Sequence, residues 1–381
     1  MSLRVALVLC FLLVLQVVQA LPQGSVQSAS FSESLPWFAK KGVSFEYSIS
    51  GSYYVVNQLV NYTGYVEIKV VSVNPNLSLT VLSNTSVSNP FVSQGVHLDD
   101  SFFPAILLVL PEQMVIPRSF SVVTRSYAVF FEYLGNFSGD YEYKITESVG
   151  GIGASPITKI ALVDPKNGVF LSYKVENSYT KAYFAMKLLS YNASASTQKV
   201  SVNAPVFARP GSTLVYTTAG SIAETLNYTT LFCEPDGLFY FEKSNVIQGK
   251  LQGPAFFLDN YTQPAFYPAV SSFSQDVNFG VSIGSIGTAT LSYLGETSVQ
   301  TVYGKVDAYA YANRTIGFEA YLNPQTGVAV YIELPGGTID LSSSNFVPLV
   351  SPSFSIFPIV LLVLFVIFVF LFLPFVFRKR R

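Results

Sequence analysis

Apolar and polar residues alternate with a period of two along most of this chain. Val43, Phe45, Tyr47 and Ile49 alternate with Ser44, Glu46, Ser48 and Ser50. Val66, Ile68 and Val70 alternate with Glu67 and Lys69, and Leu77, Leu79 and Val81 with Ser78 and Thr80. Successive side chains of a strand point to opposite faces, so this pattern predicts half-buried strands. Tyr141, Tyr143 and Ile145 continue it against Glu142, Lys144 and Thr146. Asp164-Pro165-Lys166-Asn167-Gly168 leads into Val169, Leu171, Tyr173 and Val175; Asn323-Pro324-Gln325-Thr326-Gly327 leads into Val328, Val330 and Ile332. Pro presets one turn position and Gly accepts positive φ, so both stretches predict hairpins. The expected fold class is mainly β and antiparallel, as a sandwich or a curved sheet.

Two stretches lack the alternation. Phe354 to Phe377 is 24 residues without a charge, followed at once by Arg378-Lys379-Arg380-Arg381. As a helix it spans about 36 Å, against a hydrocarbon core of roughly 30 Å. Pro358 and Pro374 sit near its ends, where a missing N–H costs least. The basic tail is expected to stay cytoplasmic, which puts the preceding chain outside. At the other end Arg4 precedes the apolar run Val5 to Val18, and Val18-Gln19-Ala20 suits signal-peptide cleavage after Ala20. An uncleaved anchor is the alternative. Cys10 is no lipidation site, because bulky Leu9 precedes it and the apolar run continues beyond it.

Between these ends lies an ordered set of internal matches. Gly42, Tyr47, Gly51 and Ser52 recur as Gly211, Tyr216, Gly220 and Ser221, and Asn61-Tyr62-Thr63 as Asn227-Tyr228-Thr229. Asp99, Pro104 and Ala105 recur as Asp259, Pro264 and Ala265. Tyr133-Leu134-Gly135, Ser138 and Tyr143 recur as Tyr293-Leu294-Gly295, Ser298 and Tyr303; Pro165, Gly168 and Val169 as Pro324, Gly327 and Val328. The organisation expected is a signal peptide over 1–20, related β domains over 35–204 and 205–346, a linker over 347–353, a transmembrane helix over 354–377 and a cytoplasmic tail over 378–381. Each domain carries an irregular insertion after its third strand, Asn89 to Pro117 and Gly253 to Asp276. In the first, Asp100 or Ser101 is expected to cap a short helix from Phe102. Such a segment plugs the end of a curved sheet or lines a ligand pocket.

Five of the 22 basic residues lie in the two terminal segments against none of the 23 acidic ones, leaving the middle with a formal charge of −6. That argues against a nucleic-acid partner, which needs clustered Lys and Arg. The charged fraction is low at 12%, so hydroxyls and amides do most of the surface hydration, which suits an acidic exterior. After signal cleavage only Cys233 remains, so no intramolecular disulfide forms. Eight N-x-S/T sequons mark glycosylation candidates: Asn61, Asn76, Asn84, Asn136, Asn192, Asn227, Asn260 and Asn313. Asn136 and Asn313, in or beside turns, are the favoured ones.

Catalytic chemistry has little to stand on. His97 is the one histidine and has no nucleophile motif beside it. One His and one mature Cys cannot make a zinc site, and Asp99 with Asp100 offers too few oxygens for calcium. Gly150-Gly151-Ile152-Gly153 lacks the strand–helix context of a nucleotide loop. Asp99 and Asp259, at matching positions, form the one catalytic candidate, a carboxylate pair shared by two related domains. Neither is followed by Thr/Ser-Gly, the turn that aims the aspartates of aspartic proteases.

A signal peptide, tandem β domains, many sequons, one C-terminal helix and the tail Arg378-Lys379-Arg380-Arg381 together resemble secreted, membrane-anchored surface proteins of thermophilic archaea. The architecture is similar to that of the membrane-anchored stalk subunit of their S-layers. It differs in having no heptad coiled coil before Phe354, so the second domain is expected close to the membrane. The resemblance implies a cell-membrane protein with its bulk outside and its C-terminus cytoplasmic. Its partners would be the bilayer, through the helix, and other envelope proteins or glycans. The function expected first is a structural, adhesion or interaction role without catalysis, cofactor or metal. A binding module for a sugar, lipid or peptide is the alternative, and an acid hydrolase using paired carboxylates is the third reading.

Overall fold

The computed structural model describes residues 24–347, apart from 75–77, 90–91, 126, 150–156, 194–197, 221–223, 248–249, 284 and 303. The expected signal peptide, linker end, transmembrane helix, basic tail and Asn76 lie outside the described residues. No helix among the described residues is long and apolar enough to cross a membrane.

The chain is mainly β. Strands β1 (Gly24–Ser25) and β2 (Ser28–Ser34) come first. A first set follows: β3 (Ser44–Val55), β4 (Gln58–Val73), β5 (Leu79–Thr85), β6 (Gly95–Asp99), β7 (Phe120–Val123), β8 (Tyr127–Phe137), β9 (Asp140–Val149), β10 (Ile157–Val163), β11 (Phe170–Asn177) and β12 (Tyr183–Asn192). After β13 (Lys199–Pro205) come β14 (Thr213–Gly220), β15 (Glu224–Cys233), β16 (Leu238–Ile247) and β17 (Lys250–Asn260). The short β18 (Ser272–Phe273) precedes β19 (Asp276–Ile283), β20 (Ser285–Thr301), β21 (Gly304–Asn313), β22 (Phe318–Leu322), β23 (Ala329–Leu334) and β24 (Gly337–Ser344).

Antiparallel pairing in the first half runs β6-β5-β4-β3-β12-β11-β10-β9-β8-β7. In the second half it runs β17-β16-β15-β14-β24-β23-β22-β21-β20-β19. The two orders agree position for position. Parallel pairing of β7 with β17 joins them into one continuous sheet. No hydrogen-bonded register links β6 to β7, or β17 to β19, among the described residues.

Each half wraps its own apolar core. Phe45, Tyr47, Ile49, Val66, Ile68 and Val70 point into the first, as their alternation predicts, and Leu214, Tyr216, Phe239 and Phe241 into the second. The connection after β6 enters the first core through Phe102, Leu107, Val109, Leu110 and Met114. No α-helix forms there; only a 3₁₀ turn appears, at Glu112–Met114. Side-chain acceptors take the N–H groups that a helix would need. Asp100 Oδ1 accepts from Phe102 and Phe103 at 2.7 Å each. The Asp99 carboxylate accepts from Ala105, Ile106 and Leu107. The expected second insertion, 253–276, is also more regular than anticipated, because β17 runs through its start to Asn260.

Most of the internal matches fall at equivalent places. Tyr133 pairs with Tyr143 and Tyr293 with Tyr311, each just before a bulge ending at Gly135 or Gly295. Tyr143 therefore corresponds to Tyr311 and not to Tyr303, which lies outside the described residues. The hairpin of β20 and β21 is longer than that of β8 and β9, which moved the match. For the same reason Ser138 sits in a turn, whereas Ser298 lies within β20 opposite Asp307. Asn61 and Asn227 do not correspond either: Asn61 lies opposite Ser52 and Asn227 opposite Val215, which precedes Tyr216.

One repeat escaped the sequence reading. Pro36-Trp37-Phe38-Ala39-Lys40-Lys41-Gly42 matches Pro205-Val206-Phe207-Ala208-Arg209-Pro210-Gly211. Phe38 and Phe207 are buried in the two cores, and the turns that follow use the same backbone bonds, Val43 N–H to Lys40 C=O and Ser212 N–H to Arg209 C=O.

Candidate functional site: an apolar cleft in the first β unit

The loop from Asp99 to Leu110 is fixed at both ends. At its start the Asp99 carboxylate gathers backbone N–H groups; at its end Leu110 N–H donates to Gly168 C=O and Phe170 N–H to Leu108 C=O. Leu108 is held at φ +55, a left-handed conformation unusual for a branched apolar residue. Beneath this loop lies a cavity of about 430 Å³, walled by Phe103, Leu108, Tyr127, Phe131, Phe170 and Tyr173, with Glu147 as its carboxylate. A second lobe of about 290 Å³ lies on the other side of the loop, where Ser83 and His97 meet Ile68, Phe184 and Met186. Ala105, Leu108 and Tyr173 border both lobes. The larger volume is in the range of small-molecule sites, and its aromatic lining suits stacking. Ser83 is buried, and its hydroxyl has no partner among the described residues.

Among the described residues the second half packs more closely at the corresponding place. Tyr267, at the position of Leu107, is fully buried among Phe207, Tyr228, Phe239 and Phe241, with ring centroids 5.0 to 5.6 Å away. Ala265 packs straight onto β19 at Gly280, where a Cβ would sit 2.2 Å from the Ala265 oxygen. Its counterpart Ala105 is exposed at the mouth of the cleft.

Asp99 and Asp259 occupy equivalent positions, opposite Leu79 and Phe239 at the ends of β6 and β17. Each carboxylate is engaged by its own loop, and no hydrogen bond joins the two among the described residues. Asp99 binds four N–H groups, of Asp100, Ala105, Ile106 and Leu107; Asp259 binds those of Asn260, Ala265 and Phe266. Asp259 also meets Arg125 Nη2 at 3.2 Å. Burial raises both carboxyls above the ordinary aspartate value, against the lowering effect of these N–H groups. His97 is half-buried, with Nε2 3.1 Å from Ser93 C=O. Cys233 is buried at the end of β15, and burial pushes its thiol well up, which makes it a poor nucleophile.

A cluster that the sequence did not announce lies between the halves. Glu33 on β2 accepts the Cys233 N–H at 3.1 Å, and Glu234 follows in the turn after β15. Both are buried. Asp236 hydrogen-bonds to Glu234, and Tyr240 donates to Asp100 Oδ2. Desolvation pushes Glu33 up to about 8. Desolvation, with the neighbouring Asp100, Asp236 and Glu33, pushes Glu234 up to about 10. No group of three or more His, Cys, Asp or Glu among the described residues is arranged to hold a metal ion.

Of the sequons, Asn61, Asn84, Asn136 and Asn192 are exposed, whereas Asn227, Asn260 and Asn313 are half-buried. The Asn313 amide already donates to Thr290 C=O at 3.0 Å and accepts from Thr315 N–H.

No protein-family model matches the chain, and no curated protein matches it. Among solved structures it is similar to MucB in complex with MucA(peri), at 11% identity over 78% of this chain and 94% of that one, with a TM-score of 0.21. It is also similar to a Nostoc punctiforme protein of unknown function from the DUF3598 family, at 12% identity over 80% and 97%, with a TM-score of 0.16. Likenesses this low carry no argument about fold or role.

Proposed function

We propose that the chain is an extracytoplasmic binding protein, tethered by residues 354–377, whose first β unit takes up an apolar ligand. One observation carries this reading. The two halves share a strand order and a loop position, yet among the described residues Ala265 of the second loop packs onto Gly280, whereas the first loop stands over an aromatic cleft with Ala105 exposed at its mouth. A fold that brings this loop onto the sheet in one copy has no packing need to hold it clear in the other. The ligand is of the lipid class among the three considered, because the larger lobe presents mainly rings and aliphatic carbons rather than the paired polar groups that hold sugars.

The test is a solvatochromic apolar probe titrated into the purified full-length protein. Wild type should bind it saturably. Ala105→Trp, which fills the mouth from an exposed position, should weaken binding about tenfold with an unchanged melting temperature. Equal binding by the variant, or none by the wild type, would overturn the reading. The tether is tested separately: protease added to intact cells should degrade the β region, and its protection would reject the topology.

The tandem-domain reading, 35–204 and 205–346, belongs here too. Its support is the matched strand order. An experimental structure in which Pro165 and Tyr133 failed to superpose on Pro324 and Tyr293 would remove it. A structural or adhesion role remains the second reading, favoured by the two strand edges, of β6 and β19, that nothing among the described residues pairs.

A further inference from the structure

Strand β17 shows what covers the last strand of this sheet order. Its Phe256 turns away from its own half into the core of the other, 1% exposed and edge-on to Phe120 of β7 at 5.5 Å. Leu258 packs against the same core. This burial comes from the parallel pairing of Ala255, Phe256 and Phe257 with Ser121, Val122 and Val123.

Strand β6 holds the same place in the first half. Val96 lies opposite Leu82 as Phe256 lies opposite Glu242, and Asp99 opposite Leu79 as Asp259 opposite Phe239. Val96 and Leu98 therefore correspond to Phe256 and Leu258. Nothing among the described residues pairs with the outer edge of β6, and Val96 and Leu98 are 67% and 72% exposed. At the other end of the sheet β19, the counterpart of β7, pairs only with β20 among the described residues. The chain thus uses one β6-type edge and one β7-type edge to join its halves, and leaves one of each. Proteins usually blunt a free edge with lysine, proline or a bulge. The β6 segment, Gly95-Val96-His97-Leu98-Asp99, has none of these.

We propose that β6 of one molecule pairs in parallel with β19 of a second copy of this chain, repeating between molecules the joint that β17 and β7 make within one. By the internal register, Gly95 would face Asn278, Val96 Phe279 and His97 Gly280. A single joint between two different surfaces leaves one β6 and one β19 free, so the product is a head-to-tail row or a ring. It should be weaker than the internal joint. Arg125 clamps the latter through Asp259 and the Gln263 carbonyl, and the sequence of β19 and its turn into β20 carries no arginine or lysine. Association is therefore reversible and favoured where copies are concentrated, as on a surface. Strand addition of this kind takes its affinity from main-chain hydrogen bonds and its specificity from alternate side chains, here Val96 and Leu98.

The test uses the full-length chain in detergent. Sedimentation velocity across a concentration series should show reversible association beyond a dimer. The Val96→Glu, Leu98→Glu double variant should weaken it about tenfold or more while keeping the wild-type melting temperature, since both positions are exposed. Mixed chains, one Cys10→Ser, Gln94→Cys and one Cys10→Ser, Asn278→Cys, should be joined by a short bismaleimide; buried Cys233 stays silent. Crosslinks only between two Gln94→Cys chains would mean edge-to-edge β6 pairing and would overturn the head-to-tail joint. A wild type that stays monomeric at the highest concentration reached would overturn it as well. In that case, protection of a Leu98→Cys thiol would mean that a segment of the same chain covers the edge.

Discussion

Asp99 and Asp259, 160 positions apart, each bind the backbone N–H groups of the residues six and seven places further on: Ala105 and Ile106 in one half, Ala265 and Phe266 in the other. A buried carboxylate used in this way is a structural element. It closes a loop that enters the core of each half and, in the first half, also borders the cleft.

Replacing either aspartate by Asn keeps the shape but removes the charge and one acceptor oxygen. Charge-assisted hydrogen bonds are worth about 1.5–3 kcal/mol, so Asp99→Asn and Asp259→Asn should each cost about 2–3 kcal/mol in chemical denaturation. Arg125→Gln should cost about 1 kcal/mol or less, because its side chain is half exposed and water screens the pair. An arginine variant as damaging as the aspartate ones would mean that the ion pair, rather than the N–H cradle, holds the second loop.

Gly168 and Gly327 make a second matched pair. Their φ values are +77 and +71, and an added Cβ would sit 1.9 Å from Leu110 O and 2.0 Å from Val270 O. The contact is with backbone, which cannot swing aside. Gly168→Ala and Gly327→Ala should each destabilise by about 3 kcal/mol or more, beyond the roughly 1 kcal/mol that a left-handed alanine costs alone. Thermal unfolding checks this, and a loss near 1 kcal/mol would mean that the turn gives way.

These two pairs show how far the chain could be read before folding. Asp99, Gly168 and their counterparts stood out as repeats because strand ends and tight turns need particular residue types. The strands themselves were legible from alternation. The helix expected at Phe102 was not there, because the acceptors that might have capped it instead took successive N–H groups of an irregular loop. The cleft was invisible for a related reason. Its openness depends on Ala105 standing clear where Ala265 touches Gly280, a difference of backbone path that neither alanine reveals. The acidic cluster combines Glu33 with Glu234 and Asp100 from three distant segments, and no local pattern announces such a meeting.

That cluster carries the last prediction. Glu33 and Glu234 are 5% and 3% exposed, and the charges that raise Glu234 are all carboxylates. In the folded protein they keep their protons up to about pH 8 and about pH 10, whereas in the unfolded chain they lose them near the ordinary value of 4.5. Between those limits the unfolded chain binds fewer protons than the folded one, so stability falls as pH rises. The slope is at most about 1.4 kcal/mol per pH unit for each proton. The loss begins near pH 4.5 for both; it ends near pH 8 for Glu33 and near pH 10 for Glu234. The protein should therefore melt higher at pH 4.5 than at pH 8, which suits an acidic exterior. Glu234→Gln, which cannot ionise, should raise the melting temperature at pH 8, change it little at pH 4.5, and flatten the curve between. Parallel wild-type and variant curves across that window would show that Glu234 is ionised in the folded protein and that water or a cation reaches it.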